Sequence, residues 1–229
     1  MKPSAKHKGF SLLDMLLILV ALAGIVLVLL PSLARSHQRS AKLSCVNNMK
    51  QVGLAFRIWA GDNGDIYPAQ LSITNGGAME WAEAGSAYGV FLVMSNELST
   101  PKILFCPEED NRSRIAANTF SFTPAPGSPA APILFTATNN LSYFAGLDGD
   151  QTQPTAIITG DDHLLVGQTR PRPGLLLLAT NTPVTWAKGR HKSGGNLGLA
   201  DGSVYLPSAN QLQSFFVSSG FATNRLAMP

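Results

Sequence analysis

Three sets of residues in this 229-residue chain have types and spacings that could do chemistry. Asp14 places one carboxylate at the head of an otherwise apolar run, residues 15–30 reading MLLILVALAGIVLVLL. An ionisable group in such a run costs about 2.5–3.5 kcal/mol even on a lenient insertion scale, so it marks function by default. Cys45 and Cys106 are the two cysteines. An even pair outside the cell favours a disulfide, with free thiols or a two-cysteine metal site as alternatives. No CxxC spacing and no neighbouring His in the sequence supports the metal. His191 precedes Asp201-Gly202 with nine residues between His and Asp. That pair could ligate a cation if His163, Asp161 or Asp162 supplied a third ligand, or it could simply pin a turn to a loop.

The elements that must position these residues follow from patterning. As a helix, residues 10–34 would reach about 37 Å at about 1.5 Å per residue, enough to cover a hydrocarbon core of about 30 Å. Ser11 and Asp14 are its sole polar interruptions before Ser32, so it lacks the polar stripe of a surface helix. Lys2, Lys6 and Lys8 precede it. A secretory signal peptide ending near Ser32-Leu33-Ala34 and a plain uncleaved anchor are the competing readings, but the run is longer than a signal peptide's apolar region. With the three leader lysines set aside, basic and acidic residues balance at 14 each, which gives no basic face for nucleic acid.

Beyond Pro31 the helix is expected to continue. Cys45, Met49, Val52, Phe56 and Trp59 recur at spacings of three and four as one apolar stripe, with Asn47, Lys50 and Arg57 off it. The run Gly61-Asp62-Asn63-Gly64-Asp65 ends that helix with turn residues. Residues 123–132 are Pro-rich and form a spacer. Short strand-like runs are expected at 133–136, 156–159, 164–166, 175–179, 184–186, 196–200 and 203–206. Strands after a long helix predict an α+β head with a mainly antiparallel sheet, and Asp201-Gly202 between two strands predicts a type I′ hairpin. The acidic pairs Asp148/Asp150 and Asp161/Asp162 invite a calcium reading without its loop spacing. No nucleophile elbow, phosphate loop or metalloprotease motif is present in the sequence. The expectation is a non-enzymatic protein with no cofactor.

Lys8-Gly9-Phe10-Ser11-Leu12-Leu13-Asp14 resembles the processing site of type IV prepilins and type II secretion pseudopilins. The resemblance implies cleavage by prepilin peptidase after Gly9 and methylation of the new Phe10 amine. It also implies an assembly role for Asp14, where the family usually carries Glu, one methylene longer. Pro31 resembles the helix-kinking proline of these proteins, and Gly24 lies where their helices loosen on assembly. His191-x9-Asp201-Gly202 is similar to the C-terminal signature of a large group of prepilin-like proteins. The stretch from Cys45 to Gly53 and Phe105-Cys106-Pro107 also look like segments of that group.

The resemblance implies a pilin-like architecture: a leader at 1–9, a transmembrane helix at 10–34, an amphipathic stem at 35–60 and a globular head at 61–229. Its implied partners are prepilin peptidase, homologous pilin or pseudopilin subunits and the inner membrane, with the leader cytoplasmic and the head periplasmic or extracellular. The expected work is that of a structural filament subunit. A membrane-anchored or secreted binding protein that never polymerises is the alternative.

Overall fold

The computed structural model describes residues 12–121, 132–192 and 194–229, with side chains described throughout except at Val28, residues 31–38 and Lys192. Gly9 and Phe10, and nearly all of the Pro-rich segment, lie outside the described residues. Two compact units emerge, residues 1–41 and 42–229.

Helix α1, Leu12–Asp62, is 51 residues long. It runs through Pro31 without interruption, as expected, and ends at the glycine-rich turn, where Gly64 and Asp65 both take positive φ. Within the first unit, residues 12–27 are described without a gap and all are exposed, as are Leu29 and Leu30. Among the described residues no helix is long and apolar enough to cross a membrane.

The second unit is α+β. The α1 stripe is buried as the spacing requires: Cys45, Met49, Val52, Phe56 and Trp59 are at most 5% exposed, joined by Ala55 and Ala60. Three short helices follow: α2 at Met79–Glu83, α3 at Ala87–Val93 and α4 at Ser95–Leu98. They close over the stripe with Val90, Phe91, Met94 and Leu98.

The main sheet has six strands, β1 (Tyr143–Gly146), β2 (Ile157–Asp161), β4 (Gly174–Ala179), β6 (Leu197–Leu199), β7 (Val204–Tyr205) and β8 (Thr223–Met228). Their order is β4-β8-β1-β2-β6-β7 and every pairing is antiparallel. A separate ribbon pairs β3 (Leu164–Val166) with β5 (Val184–Trp186). Small residues on one sheet face let α1 approach: Ala145 and Ala227 share the α1 cluster, with Ile158 packed beside them. A Cβ on Gly198 would stand only 3.3 Å from Met49 Cγ. The other face carries Phe144, Leu178, Leu197 and Leu226 against Leu212 and Phe216 of α5, Ala209–Ser218.

Several expectations are corrected. Residues 133–136 make only an isolated bridge, Leu134 to Thr119, because no neighbouring strand extends it. Strands β1 and β8 and helix α5 were not foreseen. The Asp201-Gly202 hairpin is not type I′. Gly202 N–H donates to Leu199 O (2.9 Å) and Leu199 N–H to Ser203 O (2.9 Å), enclosing a three-residue loop. Gly202 alone of that loop takes positive φ, 85°, which is the type I turn with a bulge glycine.

Candidate functional site

Cys45 on α1 and Cys106, just after the 3-10 turn Pro101–Leu104, form a disulfide with Cα atoms 5.5 Å apart. This bond ties α1 to the chain segment Pro107-Glu108-Glu109-Asp110, and a buried ionic cluster is built on that segment. Arg190, with its side chain 1% exposed, brings Nη2 within 2.6 Å of Glu109 Oε1 and 3.7 Å of Asp110 Oδ1. Its Nη1 lies 3.0 Å from Asp162 Oδ1 and 3.8 Å from Asp161 Oδ1, and donates to the Ser142 carbonyl at 3.0 Å. Arg114 pairs with Glu109 at 3.2 Å and with Asp162 at 2.5 Å. The Ser142 hydroxyl donates to Glu109 at 2.5 Å.

The electrostatics follow from that packing. Burial raises the Glu109 carboxyl, but Arg190, the Ser142 hydroxyl and Arg114 outweigh it and leave the group below the ordinary carboxylate range. Burial likewise works against both guanidinium charges, and the surrounding acids overcome it, pushing Arg114 and Arg190 up. Removing one partner of such a pair is costly, because the other charge stays buried.

His191 sits at the inner edge of this cluster, 5% exposed and in left-handed backbone at φ 55°. That conformation is uncommon for residues other than glycine; here Glu108 holds it by accepting the His191 backbone N–H at 3.1 Å. The same carboxylate lies 2.9 Å from Nδ1, off the axis of a well-formed hydrogen bond. On the other ring edge, Nε2 lies 3.4 Å from Cys106 Sγ, 3.4 Å from Asp161 Oδ2 and 3.3 Å from Asn196 Nδ2. Both ring nitrogens therefore face a carboxylate, Nδ1 that of Glu108 and Nε2 that of Asp161. Asn196 further donates its N–H (2.7 Å) and Nδ2 (2.8 Å) to Asp161 Oδ2.

His163 completes the wall. Its ring stacks on Trp186 with centroids 4.9 Å apart and Nε2 lies 3.0 Å from the Gly194 carbonyl. Burial pushes this imidazole down to about 4. Among the described residues, Asp161 Oδ1, Asn196 Oδ1 and His163 Nδ1 are buried without a hydrogen-bond partner.

The structure thus separates the two ends of the His-x9-Asp-Gly signature. His191 faces the disulfide and Asp161, while Asp201 Oδ1 accepts from Ser203 N–H (2.8 Å) and Oγ (2.6 Å) within its own turn. The turn is clasped onto α1 by Arg57, whose Nη1 donates to the Asp201 carbonyl at 3.1 Å, and onto the segment after α1 by the Tyr67 hydroxyl, which donates to the Ala200 carbonyl at 3.0 Å. Gly202 approaches Gly53 so closely that a Cβ on Gly53 would stand 3.6 Å from Gly202 Cα.

The acidic pair Asp148/Asp150 is engaged in other contacts. Asp148 binds the Arg225 backbone and side chain, and Asp150 accepts from Thr152. Asp14 lies exposed in the first described turn of α1. Missed by sequence reasoning were Glu108, Glu109, Arg114, Arg190 and Asn196. The run Pro107-Glu108-Glu109-Asp110 directly after a cysteine, and Arg190 directly before the signature His, were the available signals. No protein-family model, no curated protein and no solved structure matches this chain.

Proposed function

We propose that this chain is a structural subunit of a type II secretion pseudopilus or type IV pilus-like filament. The observation that supports the reading best is the exposure of residues 12–27 on every side of α1. Consecutive residues 15–20, all large and apolar, pass through more than one full turn and leave no polar face. A helix hydrophobic all round needs an apolar environment, either lipid or the helices of sister subunits. Before assembly that environment is the inner membrane, with the leader cytoplasmic and the head outside. After assembly it is the filament core.

In this reading prepilin peptidase cuts after Gly9 and the Phe10 amine is methylated. Asp14, expensive in hydrocarbon, is stabilised by the Phe10 ammonium of a neighbouring subunit, and the pair sets axial register. The disulfide, the ionic cluster and the clasped hairpin keep the second half of α1 fixed to the head while subunits slide into place. Work of this kind requires no catalytic group.

Asp14→Ala is expected to insert in the membrane normally and to fail to enter filaments, scored by membrane fractionation and by sheared-filament recovery. Normal incorporation of that variant would overturn the register role. The intact mass of chain recovered from its native membranes provides the second check. A start at methylated Phe10 supports the reading, and a start at Met1 or Arg35 removes it.

A further inference from the structure

Cys45, Cys106 and His191 converge on one point, and that convergence is independent of whether the chain assembles into filaments. Cys45 Sγ, Cys106 Sγ and one His191 nitrogen lie within 4.8 Å of one another, and all three residues are buried. We propose that, once a dithiol reductant opens the disulfide, these residues and Asp161 bind one zinc ion. Two thiolates, one imidazole and one carboxylate would then replace the covalent staple between α1 and the head.

The geometry favours a tetrahedral ion. With Zn–S at about 2.3 Å and Zn–N and Zn–O at about 2.0–2.2 Å, a tetrahedron puts S and N about 3.5 Å apart and N and O about 3.4 Å apart. In the structure Cys106 Sγ and Asp161 Oδ2 are each 3.4 Å from His191 Nε2. Two of the six edges of the tetrahedron are already in place. Reduction removes the bond between the sulfurs and lets them separate, and Asp161, which lies outside the 4.8 Å grouping of Cys45, Cys106 and His191, must move toward them.

The surroundings are those of a metal-binding His. Its Nε2 faces Cys106 Sγ at 3.4 Å, while Nδ1 faces the Glu108 carboxylate at 2.9 Å. A carboxylate behind the ring orients a metal-bound imidazole and raises its basicity. Asn196 holds the Asp161 carboxylate through two donors. The cluster is also rich in acid: Glu109, Asp110, Asp161 and Asp162 surround the guanidinium groups of Arg114 and Arg190, and Glu108 faces His191. Soft thiolates with one imidazole and one carboxylate suit zinc over calcium or magnesium.

The chemistry balances. The disulfide takes two electrons and two protons from the dithiol, which becomes a cyclic disulfide. Zinc then displaces the two thiol protons to solvent. Under oxidising conditions the joint is covalent, and under reducing conditions it is metal-bound.

The test uses the full chain in detergent, reduced by a dithiol under anaerobic conditions and titrated with cobalt(II) and then zinc. One cobalt per chain with a thiolate-to-metal charge-transfer band, displaced by zinc, is expected, together with a higher thermal midpoint of the reduced chain. The oxidised chain should bind neither metal at the same concentrations. His191→Ala should weaken affinity at least tenfold. Glu108→Gln, which leaves every ligand in place, should weaken it about tenfold. Absence of the band in the reduced chain overturns the proposal. So does a band unchanged in His191→Ala, or binding that leaves the thermal midpoint where it was, since metal would then be held by unfolded thiols.

Discussion

The two halves of α1 belong to one continuous helix and meet opposite fates. In residues 12–27 every side chain is exposed, whereas from Cys45 onward one stripe is buried to within a few per cent. Composition is the cause. The first half has no polar face to turn to water, and the second alternates polar and apolar residues at helical spacing. A helix can thus change character along its length, from one half that is apolar and exposed to another packed on its own head.

The largest expected effect comes from exchanging a side chain in each half. Phe56→Ala removes a ring in contact with Tyr67 and Phe91, and should destabilise the head by about 3–5 kcal/mol in denaturant unfolding. Leu22→Ala, at an exposed position, should leave head unfolding unchanged and reduce filament yield. Equal losses of head stability would erase the distinction.

At the Cys45 end the disulfide joins the buried half to a segment held by charge. Arg190→Met should cost about 3 kcal/mol, the lower bound for breaking a buried ion pair, because protonation of a stranded carboxylate relieves part of the penalty. Recovery of the loss at low pH would identify that mechanism.

A third effect depends on pH. His163 is held neutral by burial, with its pKa at about 4, against about 6.5 in the unfolded chain. Between those values the unfolded chain binds the proton and the folded one does not. The stability is therefore complete well above pH 6.5 and is lost as pH falls, by about 3 kcal/mol at pH 4.5. Glu109, its pKa lowered, contributes stability that is lost only as pH falls below the usual carboxylate range. His163→Phe should flatten the unfolding free energy between pH 6.5 and 4.5 and leave the more acidic loss intact.

The smallest effect sharpens the comparison at the hairpin clasp. Gly202→Ala forces a Cβ into φ 85° and should cost about 1 kcal/mol. Arg57→Ala removes the hydrogen bond to Asp201 from an exposed residue, and should cost less.

Much of the fold was legible. The α1 stripe, the end of the helix within the run 61–65 and most strands could be read from period and turn residues, because local spacing dictates which side a residue faces. Strand β1, Tyr-Phe-Ala-Gly, was hidden because all four residues are buried and show no alternation. Helix α5 was missed although its start carries a signal: the Gln211 carbonyl accepts from Ser208 N–H and Oγ three residues back.

By itself the sequence determined the apolar character of the first half of α1, the stripe of the second half, and the presence of two cysteines able to pair. These are properties of neighbours along the chain. Only the tertiary structure decided that His191 faces Cys106 and Asp161 rather than Asp201, and that Glu109 and Arg190, 81 residues apart, are ion-paired. Burial removes water as a competitor and makes such partners obligatory. Which partner each group finds depends on chain folding that no local pattern records.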